Sequence, residues 1–220
     1  MKRYALITLL AGAAVLGSCG SKPPVPDWEM NAHGAAQKAT EAYLSGNTRV
    51  AELEWARARV EVARTGRPDL LARLELLRCA AQTASLVPGP CDGFEALRGD
   101  AAERERAYAD YLAGRLQPQQ LPLLPEPQRK IAASGSAAAL ADIEDPLSRL
   151  VAAGVLALSG GAGPAVVASA SDTASARGWR RPLMAWLMLD LQRAEAEGDA
   201  QGASALRRRL AIVEHGAPLP

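Results

Sequence analysis

Few side chains in this chain of 220 residues have the type and spacing that catalysis or metal binding requires. The two histidines, His33 and His215, stand near opposite ends of the chain, and neither lies in a motif that would orient an imidazole. The three cysteines lack the Cys-x-x-Cys spacing of common zinc sites. We therefore predict no catalytic set, no metal site and no cofactor, and the sequence favours a non-catalytic protein while leaving its activity open.

Asp190 is the only acidic residue in an apolar stretch that runs from Pro182 to Leu191. A carboxylate buried at this position would require a charged partner, which Arg193, about one turn further on, or Arg180 could supply. Such a group is more typical of a structural ion pair than of catalysis. We keep Asp190 as a candidate buried polar site.

Other polar motifs have ordinary explanations in a helical protein. The glycine-rich segment 160–163 lacks the preceding strand and the following Lys of a phosphate-binding loop, so it is typical of a turn between helices. Glycoside cleavage would require two carboxylates in one cleft, one of them with a raised pKa. We interpret the acidic residues near the middle of the chain as charges on exposed helices: Glu103, Glu105, Asp110 and Glu126.

The start of the chain has the features of an export signal. A basic Met1-Lys2-Arg3 precedes an apolar run that ends at Leu16 and is shorter than the about 20 residues that span a bilayer. The sequence Leu16-Gly17-Ser18-Cys19 resembles the lipobox of bacterial lipoproteins, in which an aliphatic residue and two small residues precede a cysteine. The resemblance implies that residues 1–18 are removed as a signal peptide and that Cys19 carries the acyl chains of a membrane anchor. The alternative is an ordinary secreted protein in which Cys19 forms a disulfide.

Gly20 follows the cysteine, at a position where lipoproteins kept in the inner membrane of Gram-negative bacteria commonly have Asp. The resemblance therefore implies a lipoprotein of the outer membrane that faces the periplasm. The chain has 25 basic and 24 acidic residues, and removal of Lys2 and Arg3 with the signal changes its net charge from +1 to −1. This balance gives no electrostatic reason to expect a nucleic-acid partner.

Cys79 and Cys91 would then both lie in an oxidising compartment, where two cysteines of a folded domain usually pair. Cys79 lies about 9 Å from the predicted end of its helix near Ser85, and the six residues to Cys91 can extend about 20 Å and fold back. We predict a structural disulfide that contributes about 3 kcal/mol. Two unpaired buried thiols are the alternative.

The composition predicts an all-α fold of stacked antiparallel helical hairpins. The chain is 49% hydrophobic but only 4% aromatic, and alanine is abundant. A β-sandwich or barrel would require more β-branched and aromatic residues. From Ala32 onward, apolar residues recur three and four positions apart between Gly and Pro residues, which is typical of short helices.

The positions of proline and glycine, together with the proposed signal sequence, indicate six segments in the chain. We predict a signal peptide at 1–18, a lipidated cysteine and Pro-rich tether at 19–31, an N-terminal helical region at 32–117, a Pro-rich connector at 118–127, a C-terminal helical region at 128–215 packed on the first, and a tail at 216–220. The four prolines of the connector predict neither helix nor strand, and its leucines predict contact with the first helical layer.

The uncharged stretch 150–171 predicts two buried helices, with a membrane hairpin as the alternative. The stretch 182–191 is apolar on nearly every side and predicts a central helix.

One internal repeat is weakly similar to the tetratricopeptide pattern. Residues 40–46 resemble residues 108–114, a separation of 68 that is twice the length of one such hairpin. The repeat suggests a tetratricopeptide-like solenoid in the N-terminal half. The same Tyr-Leu-x-Gly sequence is also an ordinary end of an amphipathic helix.

These observations predict an outer-membrane-anchored periplasmic lipoprotein that acts as a non-catalytic interaction scaffold or as an accessory subunit of an envelope assembly. Its partners would be the membrane, through Cys19, and a protein bound to a concave helical surface by apolar and Arg contacts. A cell-wall enzyme or its regulator is one alternative, and it would require Asp190, a Glu and a basic residue in one deep pocket. A carrier that holds a small apolar ligand between helices 147–171 and 182–191 is another.

Overall fold

The structure is a computed structural model that describes residues 24–87 and 89–216. The proposed signal peptide, the lipobox and Cys19 lie outside these residues, as does most of the predicted tail. Within the described part the chain is all-helical, which confirms the predicted fold class. The α-helices are α1 (Asp27–Leu44), α2 (Thr48–Ala63), α3 (Pro68–Ala84), α4 (Asp92–Glu95), α5 (Glu103–Leu112), α6 (Glu126–Ser134), α7 (Pro146–Leu158), α8 (Pro164–Arg177), α9 (Arg180–Ala196) and α10 (Ala200–His215).

Helices α1 and α2 form a closely packed antiparallel hairpin. Alanines at three- and four-residue spacing line its inner seam, because their small side chains allow the two backbones to approach; they are Ala32, Ala35, Ala36, Ala39, Ala51 and Ala58. Gly46 makes the turn in the left-handed region, with φ +88°, and the Asn47 side chain accepts a hydrogen bond from the N–H of Val50. Similar glycine turns end α1 and α5, so the 40–46 and 108–114 repeat marks two helix ends.

The predicted N-terminal boundary at residue 32 is wrong by five residues. Helix α1 begins at Asp27, directly after Pro26, and Asp27 and Glu29 lie in its first turn. Negative charge in the first turn stabilises the positive end of the helix dipole, so the acidic residues extend the helix towards the tether.

Helix α3 connects the first hairpin to the C-terminal half. It packs against α7, more than sixty positions later in the chain, and the two backbones come close where Gly154 of α7 faces Thr83. A Cβ atom added at Gly154 would lie 2.9 Å from the carbonyl carbon of Thr83, closer than side chains are found to pack. The small residue therefore sets the distance between the two helices.

The Pro-rich connector is more regular than predicted. Pro118–Leu123 forms a short 3₁₀ helix that packs on α5, and α6 begins at Glu126 with Pro127 in its first turn. The prediction that four prolines exclude helix was wrong, because Pro is well tolerated at the first positions of a helix and in a 3₁₀ segment. The predicted contact with the first layer is confirmed, since Leu124 is buried in the main core.

Helix α7 is the central helix of the C-terminal half. Its residues 150–156 are all buried, and it contacts α3, α5, α6 and α8. The prediction that the stretch 182–191 is central was wrong. Helix α9 lies between α8 and α10 at the surface, where Met188 is 51% exposed, although Trp186 on its inner face is fully buried.

None of the described helices combines the length and the apolar character that crossing a bilayer requires. The uncharged stretch 150–171 instead forms parts of α7 and α8, separated by a turn at residues 159–163, and both helices pack in the main core. Residues 150–156 of α7 and Val166, Val167, Ala170 and Ser171 of α8 are buried, as the prediction of two buried helices states, whereas residues 158–161 and 163–165 at the turn are exposed.

Candidate functional site

The candidate site is a groove of about 520 Å³ between α3, α5 and residues 123–129. We call it the arginine groove, because three arginines from three different elements line it: Arg73, Arg104 and Arg129. Its apolar lining is formed by Leu76, Leu77, Tyr108, Leu123 and Leu124.

Helical spacing explains how each element presents one apolar and one charged group to the groove. On α3, Arg73 lies three and four residues before Leu76 and Leu77, and on α5 Arg104 lies four residues before Tyr108. Residues at these spacings share one face of a helix. The third wall is formed where the chain leaves the 3₁₀ segment. Leu124 is the residue at this point, and the side chain of Leu124 is buried in the core.

Glu105 is the most buried charged group of the groove, with 9% of its side chain exposed. Its Oε1 accepts from Arg73 Nε at 2.8 Å and from Arg104 Nε at 3.0 Å. Burial raises the pKa of this carboxyl, but the hydrogen bond from Arg104 and the charges of both arginines outweigh burial and hold the pKa below its ordinary value. Glu105 Oε2 has no hydrogen-bond partner among the described residues.

Arg129 differs from the other two arginines of the groove. It is exposed and forms no ion pair with any residue of 24–87 or 89–216, whereas Arg73 and Arg104 both bind Glu105. A guanidinium in this state keeps all its donors available to an incoming carboxylate.

A buried polar chain fixes two walls of the groove, α5 and α6, relative to one another. The Tyr111 hydroxyl donates to Gln128 Oε1 at 2.7 Å, and Gln128 Nε2 donates to the carbonyl of Ser148 at 3.0 Å. These bonds join α5, α6 and α7. Tyr108 stacks on Tyr111 with ring centroids 6.1 Å apart, and burial raises the pKa of the Tyr108 hydroxyl. The groove is therefore largely preformed.

The structure brings together two of the carboxylates that the sequence analysis treated as exposed charges. Glu105 and Glu126 both line the arginine groove. The interpretation was wrong for Glu105, because packing of α3 against α5 buries it. The Glu105 carboxyl has a lowered rather than a raised pKa, so its environment does not suit the acid of glycoside cleavage.

Asp190 is not the buried group that the sequence suggested. Its side chain is 38% exposed, and its nearest cation is Arg193, with Oδ1 and Nη1 3.9 Å apart. It lines a separate depression of about 370 Å³ together with Arg193, Glu197, Asp199 and Arg209. Arg193 also lies 3.5 Å from Glu197, so this arginine pairs with two of the three carboxylates of the depression.

Cys79 and Cys91 form a disulfide with their Cα atoms 5.9 Å apart, as predicted. The bond holds the end of α3 against the start of α4.

His33 and His215 are exposed on α1 and α10, and His215 lies 3.6 Å from Glu214. The described ranges contain no group of three side chains suited to holding a metal ion.

An apolar depression of about 300 Å³ lies between α5, α6 and α7. Its lining includes Tyr111, Leu116, Ile131 and Leu156. This is not the place predicted for a carried ligand, which was between helices 147–171 and 182–191, where Val167 and Trp186 are buried side chains.

Sequence reasoning missed the arginine groove, although it predicted α3 and a helix at Glu103 and Glu105, because it predicted no helix in the connector that forms the third wall. The helical faces of Arg73 and Arg104 could be read from spacing, but no pattern in the sequence shows that α3 lies beside α5 and residue 129. No protein-family model, curated protein or solved structure matches this chain.

Proposed function

We propose that this protein is a non-catalytic interaction scaffold of the bacterial envelope and that the arginine groove is the docking site for a partner polypeptide. The observation that carries the proposal is the groove itself: an apolar floor formed by α3, α5 and residues 123–124, and a rim with three guanidinium groups. An amphipathic helix binds such a surface by placing its apolar side chains on the floor and its carboxylates against the rim.

The energetics of the groove suit recognition of a segment rather than of a small ion. Leu77, Leu123 and Tyr108 are partly exposed, and each would lose apolar surface on binding, at about 25 cal/mol per Å² before entropic costs. Arg enrichment is typical of the residues that contribute most to protein interfaces. The arginines would fix the orientation of the bound segment through bidentate contacts.

We further propose that the protein is anchored through lipid on Cys19 and faces the periplasm. The support is the resemblance of residues 16–19 to a lipobox, after a basic and then apolar start. Asp27 at the start of α1 lies eight positions after Cys19, a reach of at most about 29 Å. An anchor at this position would keep the helical domain close to the membrane and near partners embedded in it.

The groove is tested by photo-crosslinking in intact cells. With p-benzoylphenylalanine in place of Leu123, we expect one discrete crosslinked species, whereas the same probe in place of Leu53 should give none. Leu53 is a matched control because it is an apolar residue on α2, outside the groove and 62% exposed. Equal products from the two positions, or none from Leu123, would contradict the docking site.

The anchor is tested independently by Cys19→Ala. We expect the variant to move from the membrane to the soluble periplasmic fraction and to lose incorporation of labelled palmitate. Continued labelling of the variant would contradict the lipobox assignment.

A second candidate function, an enzyme acting on the cell wall, rests on one observation. Asp190, Glu197 and Arg193 do line one depression, the combination that an enzyme would require. Digestion of purified peptidoglycan by the full chain, abolished by Asp190→Asn and by Glu197→Gln, would support this candidate. Absence of digestion products would leave the scaffold as the explanation.

A further inference from the structure

A second depression adjoins the arginine groove and has the opposite charge. It also has a volume of about 520 Å³ and is lined by residues of α6, by Ala139 in a second 3₁₀ segment (Ala137–Leu140), and by residues 142–145, which precede α7. We call it the acidic depression. Four of its side chains are carboxylates and one is an ammonium: Glu126, Asp142, Glu144, Asp145 and Lys130.

Glu126 lines both depressions, so they meet at the first turn of α6. Neighbouring residues of this helix face different sides: Arg129 lines the arginine groove and Lys130 lines the acidic depression. Helical geometry explains the division, since adjacent residues point about 100° apart around the axis.

The charges on each side are only partly compensated within the protein. In the acidic depression Lys130 pairs with Asp142, and the Asp145 side chain accepts from the N–H of Ser148 as the N-cap of α7. Glu126 and Glu144 form no ion pair among the described residues. In the arginine groove Arg129 is equally unpaired, and Glu105, nine-tenths buried, keeps an oxygen without a hydrogen-bond partner.

We infer that the docked segment is bipolar: an amphipathic polypeptide with carboxylates over the arginine groove and basic side chains over the acidic depression. This inference rests on the proposed function and specifies the chemistry of its partner. Complementary charge at both ends would fix the direction in which the segment lies as well as its position.

The opposite charges of the two depressions favour a bipolar polypeptide over a partner that carries only negative charge. A nucleic acid or an anionic lipid presents charge of one sign, so Asp142, Glu144 and Asp145, the three carboxylates beyond Glu126, would repel any part of it that extends past the arginines. A polypeptide can carry both signs along one helical face, spaced at three and four residues.

Four fluorescently labelled peptides of about 18 residues, each about 27 Å long as a helix, test the inference. All carry the same leucine stripe. Two are bipolar, with Glu in one half and Lys in the other, in the two possible orders; the third carries only Glu and the fourth only Lys. Binding is measured by fluorescence anisotropy at low salt, with the full chain in lipid nanodiscs.

We expect one bipolar order to bind about tenfold more tightly than either uniform peptide, since several exposed charge pairs of modest strength add together. Arg129→Glu should weaken that peptide about fivefold, and Lys130→Glu should strengthen it about twofold. The two variants are matched, because they make the same charge change at adjacent exposed positions of α6.

Other outcomes would overturn the inference in recognisable ways. If the Glu-only peptide binds as tightly as both bipolar peptides and both variants weaken it, the acidic depression takes no part and the partner is simply acidic. If no peptide binds while Leu123 still forms its discrete crosslink in cells, the bipolar chemistry is wrong and the docking site stands. Loss of both signals would contradict the docking site itself.

Discussion

Asp110 shows how single carboxylates of this protein are held ionised by several donors at once. Its Oδ1 lies 3.0 Å from Arg98 Nη2, and its Oδ2 accepts from Gln120 Nε2 at 3.1 Å. Burial raises the pKa of Asp110, but the bonds from Gln120 and Arg98 outweigh it and leave the pKa below its ordinary value. These bonds fasten the 3₁₀ segment of the connector to α5, next to the arginine groove.

The lowered pKa of Asp110 predicts that the free energy of unfolding decreases at acidic pH. Because the folded-state pKa lies below the unfolded value, the carboxylate stabilises the fold at neutral pH and the contribution is lost as pH falls through the folded pKa. Asp110→Asn should lower the free energy of unfolding by about 1–2 kcal/mol at pH 7 and reduce its decline between pH 5 and about pH 2.

Urea unfolding at a series of pH values measures this effect. Asp172→Asn is the control, because Asp172 is exposed on α8 and forms no ion pair with a described residue. If both variants kept the acid decline of the natural chain, the role assigned to Asp110 would be wrong.

At this scale the sequence predicted the Cys79–Cys91 disulfide but misplaced the buried charge. Loop length and a helix end suffice to bring two nearby cysteines together. Burial of Glu105, and not of Asp190, depends on which helices become neighbours. Asp190 lies on a stretch whose composition is apolar, but α9 packs at the surface and leaves the carboxylate in contact with water.

Among the elements, the close approach of α3 and α7 through Gly154 determines how the two halves of the chain meet. Gly154→Ala places a methyl group against the backbone of Thr83, where no flexible side chain can move aside. We expect a loss of about 2–3 kcal/mol in the free energy of unfolding, as for other overpacked cores.

Gly34→Ala is the matched control for this substitution. Gly34 lies inside α1, and a Cβ atom there would meet no atom within 4 Å. Alanine has the higher helix propensity, so this variant should be more stable by about 0.5–1 kcal/mol. Equal destabilisation by the two changes in thermal or urea unfolding would contradict the contact between α3 and α7.

The Cys79–Cys91 disulfide also constrains how the helices pack. It joins α3 to the start of α4 across a short loop, with the two cysteines 12 positions apart. The double change Cys79→Ser and Cys91→Ser should reduce the free energy of unfolding by about 3 kcal/mol in the chain-entropy model. The reduced natural chain should lose a similar amount. Alkylation of both thiols in the denatured, non-reduced protein would show that the bond is absent.

The turn between α7 and α8 was predictable at this scale. The glycine-rich segment 160–163 separates the two helices, as the sequence indicated. The connector was less predictable, because proline excludes a helix interior but is favourable in a first turn, and the sequence alone does not distinguish these positions at Pro118 and Pro127.

In the molecule as a whole, the α1–α2 hairpin shares a small second core with α3 and is joined to the start of α9 at a few points. Trp179 donates its indole N–H to Glu41 at 3.0 Å, and Arg181 Nε donates to the carbonyl of Tyr43 at 2.8 Å. The Arg181 guanidinium also lies over the Tyr43 ring, 4.3 Å from its centroid. These contacts join residues about 138 positions apart, so no local pattern in the sequence indicates them.

Arg181→Ala should therefore loosen the hairpin without unfolding the C-terminal half. We expect amide exchange to accelerate several-fold in α1 and α2 and to remain unchanged in α7, measured by hydrogen exchange with mass spectrometry. Arg208→Ala is the control, since Arg208 is exposed on α10 and its guanidinium has one hydrogen-bond partner among the described residues, the Ser204 hydroxyl. Uniform acceleration across all helices would contradict a locally fastened hairpin.

The scaffold account depends most on the claim that the arginine groove holds a partner through its unpaired guanidinium. The most direct measurement is the yield of the crosslink from p-benzoylphenylalanine at Leu123 in cells, compared between the natural chain, Arg129→Glu and Arg208→Glu. The account predicts that Arg129→Glu lowers the yield about fivefold while Arg208→Glu leaves it unchanged. An unchanged yield in Arg129→Glu, or an equal fall in both variants, would contradict it.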